Sequence, residues 1–181
     1  MTELASSGQL RGSFLRWALF VVPGVLFLGF FSGQLANSGP DNAWFAGLVK
    51  PSLYPPPQAF GIVWSVLYVM IGFALVLVIT ARGAPGRKAA IIAFIVQLLL
   101  NLAWSPLFFG AHLMLPALVL LGLLDMAIII TVMLFRRVRP LAALLLLPYL
   151  AWCLFATLLN AQFLAVNPGG QPPRVDVALL N

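Results

Sequence analysis

The stretch LAALLLLPYLAWCLFATLLNAQFL, residues 141–164, decides the fold class. It runs for two dozen residues without a charge, which is the length needed to cross the hydrocarbon of a bilayer as a helix. Four more apolar runs precede it, at about 14–35, 59–81, 89–109 and 114–135, each near the roughly 20 residues of a span. The separators carry turn and charge signals: Asn37 to Gln58, Arg82-Gly83-Ala84-Pro85-Gly86-Arg87-Lys88, Gly110 to Leu113, and Arg136-Arg137-Val138-Arg139-Pro140. The pattern predicts an all-α integral membrane bundle of five transmembrane helices over 14–165. A tail of residues 1–13 comes before it and a flexible tail of 166–181 after it.

Composition agrees. Only 8% of the 181 residues are charged and the mean hydropathy is +1.06, whereas a water-soluble domain carries about 25% charged residues. So few charges cannot cover a wetted surface, and lipid is the solvent and first partner. The formal charge of +6 does not point to nucleic acid, because the basic residues form no stripe interleaved with aromatics. They cluster between apolar runs. Arg11, Arg16, Arg82, Arg87, Lys88, Arg136, Arg137 and Arg139 fall on one side of a five-span topology, and only Lys50 and Arg174 on the other. That bias predicts a cytoplasmic N-terminus and suits a bacterial inner membrane. The first run lacks a small-x-small cleavage site after it and reads as a retained helix, bent at Pro23.

The connection before the second span stands apart in length and content. Trp44, Phe45, Leu53 and Tyr54 are too apolar for a solvated loop, and Pro55-Pro56-Pro57 stiffens it toward polyproline II. It reads either as a lid over the outer mouth of the bundle or as an interfacial aromatic belt. Lys50 adjoins it and is placed to meet a ligand carboxylate or lipid headgroups.

Polar groups inside spans are costly and need a partner or a task. Gln97, Asn101, Trp104 and Ser105 share one face of the third span. Trp152, Ala156 and Asn160 follow at intervals of four on the fifth, where a tryptophan beside an alanine leaves an aromatic wall next to a gap. Both stripes read as interhelical packing or as cavity walls. Asp125, in the fourth span, has no second carboxylate in any span, so a structural hydrogen bond is expected rather than a proton relay. Gln97 and Asn160 are read as structural polar groups of the same kind. One histidine, His112, and one cysteine, Cys153, make no metal site. His112 reads as an exposed turn residue. Ala89 and Ala93 form a small-xxx-small pair suited to a homodimer contact.

Four blocks together resemble the translocator protein / tryptophan-rich sensory protein family: Trp44-Phe45-Ala46-Gly47-Leu48-Val49-Lys50-Pro51, Val63-Trp64-Ser65-Val66-Leu67-Tyr68 after Pro55-Pro56, Gln97 to Gly110, and Pro148 to Asn160. The resemblance covers roughly 40–165. It implies a five-helix bundle, usually dimeric, with a pocket under the first loop for porphyrins, haem or similar flat apolar molecules. It carries ligand contacts onto Trp44, Phe45, Trp64, Asn101, Trp104, Trp152 and Ala156, with Lys50 and Leu53 beside them. Phe45 stands where relatives commonly have Tyr, and Leu53 where they carry an aromatic. Residues 157–167 hold no Tyr and no basic residue, so the resemblance does not extend to the vertebrate sterol motif. The expected function is a membrane receptor or sensor for tetrapyrroles. The alternatives are a transporter of porphyrin- or sterol-like molecules and a light-dependent porphyrin-degrading protein. No nucleophile–base pair is recognisable, no resident cofactor is required, and porphyrin or haem enters as ligand.

Overall fold

The computed structural model describes residues 7–171. Its elements are α1 (Ser7–Leu35), the short α2 (Ala43–Gly47), α3 (Pro57–Thr80), α4 (Arg87–Ser105), a π turn (Pro106–Gly110), α5 (Met114–Val138), α6 (Pro140–Val166) and a 3₁₀ turn (Pro168–Gly170). Five segments are long and apolar enough to cross a membrane: Arg11–Leu35, Pro57–Thr80, Arg87–Gly110, Met114–Val138 and Pro140–Val166. The five runs predicted from sequence are these five, with no end moved by more than three residues.

Proline sets several of those ends. Pro57 and Pro140 take the first helical position, where the missing N–H would be unpaired anyway. The third proline of the triplet therefore begins α3 and is not part of an extended loop. At the turn into α4, Gly86 sits at φ +77°, a conformation that glycine adopts without penalty. Pro23 and Pro148 lie inside continuous helices.

Pro106 has a larger effect. It lacks the N–H that would bond the Leu102 carbonyl one turn back, and the chain responds with a π turn closed from Ala111 N–H to Pro106 O at 2.8 Å. The carbonyl that Pro106 leaves free accepts from the Ser32 hydroxyl on α1. A broken ladder in α4 is thus repaired by a neighbouring helix.

Around the bundle the neighbours run α1, α3, α6, α5 and α4, and α4 closes the ring onto α1. Glycine brings α1 and α3 close. A Cβ on Gly72 would lie 2.9 Å from the backbone Cα of Val22, and one on Gly29 would clash with the edge of the Tyr68 ring. Arg87 folds back to donate to the carbonyls of Val78 and Ile79, capping the end of α3 with a cation. Leu19, Phe20, Phe27, Ile62, Leu99 and Met126 point outward. That girdle would be untenable in water and suits acyl chains.

The polar side chains of the spans turn inward and meet across helices. Tyr149 donates from α6 to Gln97 Oε1 on α4 at 2.8 Å. Thr157 donates to Asp125 Oδ2 on α5 at 2.7 Å, the structural bond expected of Asp125. Trp104 Nε1 donates to Asn160 Oδ1 at 3.3 Å, and Asn160 Nδ2 to the Met114 carbonyl at 3.0 Å. Gln97 Nε2 and Asp125 Oδ1 are buried without a partner.

The glycine contacts yield a paired test. Gly72→Leu should destabilise the bundle by about 1–3 kcal/mol through overpacking. Gly24→Ala, with nothing within 4 Å of its added Cβ, should be neutral or stabilising by up to about 1 kcal/mol. Thermal melting of the detergent-solubilised chain reads both.

Candidate functional site: a roofed cavity

The long first connection is an ordered roof. Asn42 caps α2, its Oδ1 accepting from Phe45 N–H at 3.0 Å while its Nδ2 donates to the Phe109 carbonyl of the π turn at 3.1 Å. Lys50 closes the other end of α2, donating to the carbonyls of Phe45, Ala46 and Leu48 at 2.6, 3.3 and 3.0 Å. Its ammonium also lies 4.5 Å from the centre of the Phe45 ring. Burial draws the Lys50 pKa below the ordinary lysine value and raises that of the Tyr54 phenol.

Two anchors beyond the roof hold it down. Asn167, at the end of α6, pairs with Val49 in both directions: Val49 N–H to Oδ1 at 2.8 Å and Nδ2 to Val49 O at 3.0 Å. Trp44 Nε1 donates to Gly170 O at 3.1 Å, and its ring stacks on His112 at 4.4 Å between centres. The flexible tail expected from residue 166 is therefore corrected as far as Gly170. Asn167 and Gly170 are buried and bonded to the roof; residues 172–181 lie outside the described part. His112 is likewise no bare turn residue. It takes φ +58° and supports Trp44.

Beneath the roof lies a cavity of about 310 Å³, at the lower end of the roughly 300–1,000 Å³ of small-molecule sites. Phe45, Tyr54 and Phe60 form its ceiling. Trp64 and Tyr68 of α3, Asn101 and Trp104 of α4, and Trp152, Ala156 and Asn160 of α6 form its walls. The rings interlock: Trp64 stacks on Tyr68 at 5.0 Å, Trp104 on Phe108 at 5.1 Å, and Phe60 meets Trp152 edge-on at 5.8 Å. Tyr68 donates to Asn101 Oδ1 at 3.0 Å, leaving the Asn101 amide nitrogen as the donating end. Among the described residues that line the cavity none is charged.

Of the expected ligand contacts, Phe45, Trp64, Asn101, Trp104, Trp152 and Ala156 converge on this space. Three do not. Trp44 is spent on pinning the roof. Lys50 is spent on α2. Leu53 is 46% exposed and points away, and its neighbour Tyr54 reaches the cavity instead. The reading from sequence missed the α1 wall: Gly29, Phe30, Gly33 and Gln34 line the cavity. The spacing of Gly29 and Gly33 was a usable signal, since small residues a turn apart leave room against aromatic neighbours.

Fold and cavity together define a multi-pass α-helical membrane protein with an aromatic, uncharged internal chamber. The chain belongs to the TspO/MBR family, whose family model matches residues 20–166. It is 44% identical over 135 residues to the "Translocator protein" of Homo sapiens, covering 74% of this chain and 80% of that one. Identity is 40% over 139 residues to the "Tryptophan-rich protein TspO" of Chlorobaculum tepidum, covering 76% and 88%. The "Tryptophan-rich sensory protein" of Cereibacter sphaeroides is 33% identical over 155 residues, covering 83% and 92%.

The Asn167 clasp predicts a local effect. Asn167→Ala removes both bonds to Val49 and one to the Phe163 carbonyl, at a cost of about 1–3 kcal/mol. Hydrogen exchange of residues 43–54 should accelerate while the spanning helices stay protected.

Proposed function

We propose that this protein is a membrane receptor or sensor that holds a flat, largely apolar ligand, a tetrapyrrole such as porphyrin or haem, in the cavity beneath the roof. The observation that carries the reading is the cavity itself, with three indole rings and the amides of Asn101, Asn160 and Gln34 lining an uncharged space under a pinned lid. Stacking on Trp64, Trp104 and Trp152 would contribute about 0.5–1.5 kcal/mol each beyond buried area. Asn101 Nδ2 would add a directional bond. With no cation in the wall, the acidic edge of a porphyrin is assigned to the rim at Gln34 and Ser38, both exposed. The chamber lacks a nucleophile–base pair, which favours binding over turnover.

The proposal extends to setting and assembly. The charge bias favours a bacterial inner membrane with the N-terminus cytoplasmic. Ala89 is exposed and Ala93 half-buried on a flank of α4 that also presents Ile92, Val96 and Leu99 outward, a surface suited to a second copy.

Titration of the solubilised protein with protoporphyrin, read by quenching of tryptophan fluorescence, tests the reading. Trp152→Ala should weaken binding on the order of 10-fold, from lost stacking and lost burial. Trp17→Ala, remote from the cavity, should leave it unchanged. Equal affinity of Trp152→Ala and the parent chain would remove the cavity from consideration.

A further inference from the structure

A second cleft lies at the opposite end of the bundle, on the outer face between α1 and the end of α3. It measures about 330 Å³ and is lined by Ser13, Arg16, Trp17, Phe20 and Arg82. The four α1 residues follow at intervals of three, four and seven, so one helical face carries a hydroxyl, a guanidinium, an indole and a phenyl ring in order of depth. Arg82 brings a second guanidinium from the turn after α3.

Among the described residues neither guanidinium is used by the fold. Arg87, five residues beyond Arg82 in the same turn region, spends its head on two α3 carbonyls. Arg16 and Arg82 make no intramolecular hydrogen bond or ion pair among the described residues, and both are exposed. The carboxylates among the described residues are Asp41, beside the roof at the other end, and Asp125, buried and bonded to Thr157. Two cations therefore share one cleft with no anion among the described residues in reach. Like charges brought together without a counter-charge repel, and an anion bound between them relieves that repulsion.

The geometry points to a site for a phosphate group, and its lipid-facing placement to the headgroup of an anionic phospholipid as the carrier. Arg16 and Arg82 would share the phosphate oxygens, since a guanidinium matches phosphate with paired donors. Ser13 supplies a hydroxyl donor. Trp17, 42% exposed, sits as interfacial tryptophans do at the headgroup level. Phe20, 78% exposed one turn deeper, offers its ring to the first methylenes of an acyl chain. The arrangement of basic head above apolar flank matches how basic pockets at membrane-protein surfaces hold acidic lipids. This assignment is independent of the ligand proposed for the roofed cavity.

The test uses the full chain in lipid nanodiscs and in neutral detergent. Phosphatidylglycerol, added to phosphatidylcholine nanodiscs, should raise the melting temperature and appear as retained adducts in native mass spectrometry. R16Q/R82Q should weaken phosphatidylglycerol retention by about 25-fold, at about five-fold for each arginine near an anionic leaflet. R136Q/R137Q, which removes the same charge from the end of α5, should change it far less. Inorganic phosphate in neutral detergent separates the sources. Stabilisation by phosphatidylglycerol alone confirms a headgroup site, and equal stabilisation by phosphate, lost in R16Q/R82Q, confirms the phosphate site but gives it a soluble occupant. Identical retention by the parent and R16Q/R82Q, with no response to phosphate, overturns the proposal.

Discussion

Hydrocarbon offers no hydrogen bonds, and a polar group that enters it is costly unless it finds a partner within the protein. This constraint explains why the chain is helical over its five long segments and why its few intramembrane polar side chains face one another. The Gln97–Tyr149, Asp125–Thr157 and Trp104–Asn160 pairs each join two helices. Apolar contact alone gives little preference for one helix neighbour over another in lipid. These pairs, with the glycine contacts of α1 against α3, supply the specificity that hydrophobic burial supplies in water.

Pro106 shows the same constraint producing a feature near the site. Removing one backbone donor costs α4 a bond, and the π turn that follows redirects Phe108 and Phe109 beneath the roof, where both are buried against Phe45. The freed Leu102 carbonyl binds α1 through Ser32. One proline thus couples the wall of the cavity, its roof and the helix that closes the ring. π turns of this kind recur where a helix must present side chains out of its regular register.

The two ends of the bundle are built on opposite principles. The roofed end is closed by bonds from three separate segments: Asn42 to the π turn, Trp44 to Gly170 and Asn167 to Val49. Its cavity is uncharged, so desolvation of a ligand there must be offset by ring contacts and a few neutral amides. At the other end two arginines find no partner among the described residues and stand beside exposed aromatics. Arg87 shows what an arginine does there when the fold claims it.

Number and placement of the spans, the inward face of Gln97, Asn101 and Trp104, and the gap beside Trp152 were all legible in the sequence, because each follows from periodicity and from the cost of polarity in lipid. The TspO/MBR resemblance was legible from local blocks that stay contiguous along the chain. The roles of Trp44, Lys50 and Leu53 were not. All three sit in one connection too short in regular structure to say which way a side chain faces; only docking against Gly170, His112 and the α2 carbonyls assigns Trp44 and Lys50 to the roof's structure, and only the fold leaves Leu53 exposed. The part played by Asn167 and by the α1 wall was hidden for the same reason: contacts more than a hundred residues apart, such as Val49 with Asn167, leave no trace in local pattern. Local chemistry determined which segments cross the membrane, and the packing of distant segments decided what stands over the cavity and what faces into it.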